Sequence, residues 1–254
     1  EKGSQVFMTR EEYGHPFGIK GNKGDILLAD DQYVYLRHDA FTPDMTPVGL
    51  SKLKKPHVIA TPGFVQPTPH HRSFWTINTK LLYGIPTGRG PIHGDILVKD
   101  GNRFYEVRGY QPSRHDYFDP RTAGYTLFAG EIIPRVASAK RGKKRPLATV
   151  HQPVKERWKV NIPLTGKAMA LAGDVLFIAG TPVTFPKGDL SKAYDGRMGG
   201  LLWVVSASNG AKLAEYKLDA PPLWDSLAAV KGKLLLCTTD GQLRCFVRKK
   251  ETTR

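Results

Sequence analysis

Short runs of β-favouring residues recur along the chain, and four of them begin after a glycine and a polar residue. The glycines that open these runs are Gly24, Gly94, Gly173 and Gly232. After the first, second and last run, a turn leads into a second run of similar length. No stretch shows a convincing 3.6-residue period, so the pattern predicts short antiparallel strands rather than helices.

Turn-forming residues separate these runs. The chain has 26 Gly and 19 Pro, a content that favours many turns. Pairs of Asp or Asn with Gly, which suit two-residue type I′ hairpin turns, lie at Asp100-Gly101, Asp195-Gly196, Asn209-Gly210 and Asp240-Gly241. Three of the four lie between predicted strands, so hairpins are expected there.

Together these signals predict an all-β fold, a β-propeller of four-stranded antiparallel blades. At about 42 residues per blade, the 254 residues suffice for roughly six blades, and the chain can also be part of a larger propeller. We predict one propeller domain over residues 1–254, with loop insertions at about 41–93 and 109–125. A charged segment at about 138–153 is expected to be a linker between two blades.

Several repeated residues have a structural interpretation in such a fold. Asp25, Asp95 and Asp174 each follow an opening glycine, and we interpret them as turn caps at equivalent blade positions. The four tryptophans lie in or beside β-rich runs, which favours packing between blades. They are Trp75, Trp158, Trp203 and Trp224.

Residues 199–247 carry the most specific similarity. They read Gly-Gly-Leu-Leu-Trp-Val-Val-Ser, a turn at Asn209-Gly210, then Pro-Pro-Leu-Trp-Asp and a hairpin around Asp240-Gly241. This segment resembles the bacterial quinoprotein-like, or PQQ-binding-like, β-propeller repeat family, and is similar to the outer-membrane assembly propeller group. The stretches 35–38, 71–75 and 124–129 are similar to the same group. The resemblance implies a fold and does not imply a reaction.

Binding of PQQ is disfavoured, and no cofactor is expected. True quinoprotein dehydrogenases use a disulfide of adjacent cysteines, whereas the two cysteines here are Cys237 and Cys245. A two-residue turn at Asp240-Gly241 would set residue 237 opposite 244, so the two thiols would point to opposite faces and could not bridge. A three-residue loop would change this register and bring the cysteines opposite each other.

The basic charge indicates either solvated charged segments, such as the tract 140–145 and the C-terminal residues 248–254, or an anionic partner. Lys and Arg outnumber Asp and Glu by 38 to 23, a formal net charge of +15. Such a charge suits a sulfated or carboxylated polysaccharide, a nucleic acid or a membrane surface. No nucleic-acid-binding motif is present, so specific binding to nucleic acid is not expected. No apolar run is long enough to form a transmembrane segment, and we expect a periplasmic or extracellular protein of the cell envelope.

The densest chemical cluster is His70, His71, Arg72 and Trp75. In a pocket, Arg72 would hold an acidic sugar and a histidine would act as a base. In the alternative interpretation, Trp75 packs in the core and the His and Arg side chains hydrogen-bond a loop. His71, Arg72 and Trp75 are therefore predicted ligand-binding residues, and His70, His71 and Arg72 are catalytic candidates.

A second cluster lies between residues 114 and 119. Arg114 and His115 are predicted ligand-binding residues, and Tyr117 is a further catalytic candidate. His115, Asp116 and Asp119 have side chains that bind metals, although the same residues are common in turns, and no metal is expected.

These observations favour a non-catalytic scaffold that binds a protein partner or an anionic polysaccharide. The alternative is a propeller-type polysaccharide lyase, which would need a His or Tyr base and an arginine in one pocket. A PQQ dehydrogenase is the least favoured class.

Overall fold

The computed structural model describes the chain in segments separated by gaps. The described residues are 27–36, 39–49, 53, 55–60, 75–78, 92–109, 124–133, 153–183, 192 and 196–247. They contain the following strands: β1 Leu27–Ala29, β2 Val34–Leu36, β3 Asp39–Phe41, β4 Pro47–Val48, β5 His57–Ala60, β6 Trp75–Asn78, β7 His93–Gly94, β8 Ile96–Asp100, β9 Arg103–Arg108, β10 Tyr125–Ile132, β11 Val154–Ile162, β12 Ala168–Ala172, β13 Val175–Gly180, β14 Gly200–Ser206, β15 Lys212–Leu218, β16 Pro222–Val230, β17 Lys233–Thr238 and β18 Leu243–Val247.

These strands form five small antiparallel sheets. Sheet I contains β1–β4, sheet II contains β5 and β6, sheet III contains β8–β11, sheet IV contains β12–β15 and sheet V contains β16–β18. In sheets I, III, IV and V, consecutive strands are neighbours, which is the up-and-down order of a propeller blade. The all-β class and its blade-type sheets are thus confirmed, and closure of a ring remains a prediction.

The predicted number of roughly six blades is one more than the five sheets of the described residues. Division of chain length by blade length assumes short connections between strands. In sheet III the connections are long, since β9 ends at Arg108 and its neighbour β10 begins at Tyr125.

The chain divides into two compact units, Glu1–Thr87 and Gly88–Arg254. The first unit holds sheet I, where Tyr35, Ala40 and Leu53 form a small apolar cluster. It also holds β4, β5 and β6, which lie inside the stretch 41–93 that was predicted as a loop insertion. The prediction of a single domain is not tested by this division.

In the second unit, sheets III, IV and V follow one another, and their first strands are adjacent. Strand β12 of sheet IV contacts both β8 of sheet III and β16 of sheet V. The apolar core between sheets IV and V is built from small and branched side chains, among them Ala168, Ala179, Leu202 and Leu236. Small residues on β12 let the first strand of the next sheet approach closely.

Trp158 of β11 joins sheet III to sheet IV. Its indole N–H donates to the carbonyl of Ala207 over 3.1 Å, and its ring lies 6.0 Å from the ring of Tyr105. A Cβ atom added to Gly210 would come within 2.7 Å of the Trp158 ring. Packing between sheets, which the sequence predicted for the tryptophans, is therefore confirmed for Trp158.

Two sequence interpretations are wrong in detail. The charged segment at 138–153 was expected to separate two blades, but it follows β10 and precedes β11, which pair within one sheet. The opening glycines do not mark equivalent positions, because Gly94 precedes the first strand of sheet III whereas Gly173 precedes the second strand of sheet IV. Accordingly Asp95 is buried and Asp174 is exposed in a turn.

The hairpin between β17 and β18 has another register than the two-residue turn predicted. The amide of Thr238 donates to the carbonyl of Gln242, and the amide of Gly241 donates to that of Thr238. The loop therefore has three residues and ends at Gly241, whose φ is +78°. Cys237 pairs with Leu243, and Cys245 pairs with Leu235. The two thiols lie on the same face but two register positions apart, so the expectation that a three-residue loop would bring them opposite each other is wrong; both are free.

Candidate binding site

The first strands of sheets IV and V meet where β12 and β16 begin. The amide of Asp225 donates to the carbonyl of Lys167 over 2.8 Å. At this point β16 bulges, because its pairing with β17 passes from Pro222 directly to Leu227. Bulges of this kind redirect side chains and are frequent beside functional sites. We name Lys167, Trp224, Asp225 and Ser226 the β12–β16 junction.

Asp225 has a strained backbone in this bulge. Its φ is +52°, in the left-handed region that a non-glycine residue adopts at a cost of about 1 kcal/mol or more. Its hydrogen bond to Lys167 holds this conformation. The hydroxyl of Ser226 adds support, since it lies 2.8 Å from the carbonyl of Leu223 and 3.0 Å from that of Cys237.

The electrostatic setting of the junction combines a cation, an aromatic ring and a carboxyl group. The Lys167 ammonium lies 5.3 Å from the centre of the Trp224 ring, within the range of a cation–π interaction. The protein atoms around Asp225 raise the pKa of its carboxyl to about 6 by desolvation. The residue as a whole nevertheless keeps an exposed surface.

The indole N–H of Trp224 is buried and has no hydrogen-bond partner among the described residues. A buried donor without a partner costs about 1–3 kcal/mol. A ligand acceptor that reached this donor would remove that cost.

A second charged group lies on β9 of sheet III. Glu106 is fully buried, and burial raises the pKa of its carboxyl to about 8 against the opposing effect of Arg108. Its Oε1 atom accepts hydrogen bonds from Arg108, one of them from Nε over 2.6 Å. The Arg108 guanidinium also lies 3.7 Å from the centre of the Phe128 ring. Glu106 and Phe128 therefore fix a partly exposed cation at the end of β9.

The end of β9 and the start of β12 are neighbours. A Cβ atom added to Gly166 would come within 2.6 Å of the Val107 side chain and 3.0 Å of Ile96. Only glycine allows this close approach of the two sheets. Arg108 follows Val107, and Lys167 follows Gly166. Both cations therefore lie at the same end of the second unit.

In the first unit, a buried histidine packs against a tyrosine. The rings of His57 and Tyr35 are parallel, with centres 4.1 Å apart, and the Tyr35 hydroxyl donates to Asp30 over 2.7 Å. Burial lowers the pKa of His57, so the imidazole is held neutral. We interpret this stack as packing within sheets I and II.

Almost all of the residues predicted from the sequence as site residues lie outside the described segments. These are His70, His71, Arg72, Arg114, His115, Asp116, Tyr117 and Asp119. Trp75 is described; it lies in β6 with only 3% of its surface exposed. Its ring packs inside the protein, and its assignment to ligand binding stays a prediction. The lyase alternative depends on the same residues and also stays a prediction.

The β12–β16 junction is not among the sites predicted from the sequence. Trp224 was assigned to packing, and neither Lys167 nor Asp225 was singled out. The available signal was the polar pair Asp225-Ser226, which interrupts an apolar run after Pro221-Pro222. Such an interruption indicates a bulge only when the partner strand is known.

The described segments hold no group of three or more His, Cys, Asp or Glu side chains placed to bind a metal ion. None of the helices in this part of the chain has the length and apolar character needed to cross a membrane.

Comparisons with known proteins do not identify a family. No family model matches the chain, and no curated protein matches it. Among solved structures, the computationally designed Ika4 protein is 9% identical, covers 92% of this chain and 98% of its own, and has a TM-score of 0.36. The designed Ika8 protein is 9% identical, with 92% and 74% covered and a TM-score of 0.33. Scores this low carry no argument about fold or function, so the quinoprotein-like resemblance remains a prediction.

Proposed function

We propose that this chain is a non-catalytic binding scaffold of the cell envelope or the extracellular space, and that its β12–β16 junction binds an anionic polysaccharide. The observation that carries the proposal is the buried indole N–H of Trp224, which lacks a partner among the described residues while an ammonium group lies over the same ring. The site thus holds a donor, a cation and an aromatic surface together.

These groups match the chemistry of a uronate or sulfated sugar. An ammonium group binds a carboxylate or sulfate through charge-assisted hydrogen bonds. The indole contributes a flat apolar surface and one N–H donor, and a carboxyl group accepts hydrogen bonds from sugar hydroxyls. The raised pKa of Asp225, about 6, reduces its negative charge in mildly acidic solution and so weakens its repulsion of an anionic ligand.

A second tryptophan in the same unit has similar neighbours but a different arrangement. The Lys212 ammonium lies 4.8 Å from the centre of the Trp203 ring. Here the indole N–H donates to the Glu215 carboxylate over 2.9 Å, and Lys212 binds the same oxygen over 3.1 Å. All three polar groups at Trp203 are satisfied within the protein, so this cluster is a natural control for the junction.

The overall charge supports an anionic ligand. The net charge of +15 creates a field that attracts polyanions. Exposed cations that belong to this field occur on β11, where Lys155, Arg157 and Lys159 lie at the surface.

The test is isothermal titration with oligogalacturonate and with a sulfated oligosaccharide, at low salt and at about 0.3 M salt. The variants are Trp224→Phe and Lys167→Ala, with Trp203→Phe and Lys212→Ala as matched controls. We expect binding that persists at the higher salt in the wild type and in both controls. Both junction variants should weaken it by about tenfold or more, which corresponds to about 1.4 kcal/mol.

Two results would overturn the polysaccharide assignment. The first is equal weakening by the junction and control variants. The second is complete loss of binding at about 0.3 M salt, which would indicate diffuse surface charge only. Absence of binding to either saccharide would favour a protein as the partner of the scaffold.

A further inference from the structure

Sheet V has a strand edge that is paired on one side only among the described strands. In the described part of the chain, sheets III and IV have four strands each, whereas sheet V has three. Strand β18 pairs with β17, and no other described strand pairs with it. The outer edge of β18 is therefore the position that a fourth strand takes in the neighbouring sheets.

The backbone register shows which groups this edge presents. Thr238 donates to Gln242 across the β17–β18 loop, so the hydrogen-bonded pairs that follow are Leu236 with Arg244 and Leu234 with Phe246. The alternate residues Leu243, Cys245 and Val247 then direct their N–H and C=O groups away from β17. These groups can bind an added strand.

The side chains of the same three residues form an exposed apolar row. Leu243 and Val247 are each 64% exposed, and Cys245 lies exposed between them. Half-buried Leu235 and Cys237 of β17 continue this face. The opposite face of sheet V packs on sheet IV through Leu227, Leu234 and Leu236, so the exposed row is not part of that core.

The outer edges of sheets III and IV carry charges that discourage pairing. On β11 the exposed residues include Lys155, Arg157 and Lys159. On β15, Leu213 and Tyr216 are exposed, but Lys212, Glu215 and Lys217 interrupt them. Natural proteins protect sheet edges with charged side chains, especially lysine. The outward residues of β18 lack this protection.

We propose that the β18 edge binds an extended segment of a protein partner, which adds a fourth strand to sheet V. The outward backbone groups of Leu243, Cys245 and Val247 give the hydrogen bonds, and their apolar row selects a segment with apolar residues at alternate positions. This surface is separate from the β12–β16 junction and does not depend on polysaccharide binding.

The charges around β18 select an acidic segment. Lys233 pairs with Val247 and is exposed on the same face as the apolar row. Lys231 is exposed in the adjoining turn, and the sequence continues after β18 as Arg248-Lys249-Lys250. Asp240, the nearest acidic group in the loop, is paired with Arg244 over 3.3 Å. Positive charge therefore dominates, and opposite charge speeds association and fixes register.

The experiment is amide hydrogen exchange, read residue by residue, on the whole chain with a synthetic probe. The probe is a peptide of about six residues, the usual strand length, with alternating Val and Glu; the control peptide alternates Val and Lys. In the free protein, the amides of Leu243, Cys245 and Val247 should exchange rapidly, and those of Arg244 and Phe246 slowly. The Val-Glu peptide should slow the first three by about tenfold or more.

Two variants distinguish strand pairing at the β18 edge from non-specific binding of the peptide. Cys245→Pro removes one outward N–H that β17 does not use, so the peptide should no longer bind while the thermal midpoint changes little. Val247→Glu places a carboxylate in the apolar row, where it repels the acidic peptide, and should also abolish binding, even if the proline variant does not fold. Leu213→Glu on β15 is the matched control and should leave binding unchanged, as should Trp224→Phe.

Three results would overturn the proposal. They are unchanged exchange of the three outward amides at saturating Val-Glu peptide, equal binding of the Val-Lys peptide, and protection that rises with protein concentration alone. The last result would assign the edge to a second copy of the chain instead of a partner segment.

Discussion

Two tryptophans of the second unit show that residue type alone does not decide a role. Trp203 and Trp224 each have a lysine ammonium over the ring and a carboxyl residue close by. The indole N–H of Trp203 donates a hydrogen bond to Glu215, whereas the N–H of Trp224 has no partner among the described residues. The residue after Trp224 is Asp225, which lies in the bulge of β16 with a left-handed backbone conformation.

Glu106 gives a prediction at the scale of a single residue. Its pKa is raised from 4.5 to about 8 in the folded protein, mainly by burial. The folded protein keeps this carboxyl protonated, whereas the unfolded chain ionises it above pH 4.5. The stability that Glu106 contributes is therefore fully present below pH 4.5 and is lost as the pH rises through about 8. We expect Glu106→Gln to remove this loss, so its free energy of unfolding should rise relative to the wild type between about pH 5 and pH 9.

Chemical denaturation over this pH range measures the effect. The matched control is Glu131→Gln, since Glu131 is 43% exposed and makes only a loose ion pair with Arg157 at 3.7 Å. The control should show no such trend with pH. A parallel pH profile for Glu106→Gln and wild type would show that Glu106 is ionised throughout in the folded state.

At the scale of elements, one ring and one turn connect sheets III and IV. Trp158 lies over the β14–β15 turn, where Gly210 has a φ of +78° and leaves no room for a Cβ atom. Gly210→Ala should therefore reduce the free energy of unfolding by about 2–4 kcal/mol, from backbone strain and the clash with Trp158 combined. Urea denaturation measures this loss.

Gly232→Ala separates strain from clash. Gly232 lies in the β16–β17 turn with a φ of +73°, and an added Cβ atom would meet nothing within 4 Å. This variant should lose only about 1 kcal/mol. Equal losses for the two variants would show that Trp158 moves aside freely and does not connect the sheets tightly.

At the scale of the whole molecule, the chain consists of two compact units. Sheets III, IV and V lie in the second unit and have continuous apolar packing between IV and V. We therefore expect the fragment Gly88–Arg254 to fold alone, with a β-type circular dichroism spectrum and a cooperative thermal transition. A fragment with β signal but no cooperative transition would show that the core needs residues 1–87.

The sequence predicted the elements of the fold better than their connections. Alternating runs and glycine turns correctly indicated an all-β chain with blade-type sheets, because strand period and turn chemistry are local properties. The number of sheets and the role of the 138–153 segment were wrong. Both depend on which strands pair across long connections, and pairing is a tertiary property.

The candidate site was far less predictable. Histidine-rich segments drew attention because their residue types are chemically versatile, and these segments lie outside the described residues apart from Trp75. Lys167 and Asp225 are 58 positions apart by their numbers and meet through a backbone hydrogen bond between adjacent sheets. No spacing rule within one strand connects them.

The sequence by itself determined that this protein is basic, all-β and divided into short strands by glycine-dependent turns. Only the tertiary structure decided the register of the β17–β18 hairpin, where a three-residue loop brings Cys237 and Cys245 to one face. It also decided that β16 bulges at Asp225 and that β18 lies at an edge among the described strands. The physical reason is that alternation fixes which residues share a face of a strand, while loop length and neighbouring sheets fix what that face meets.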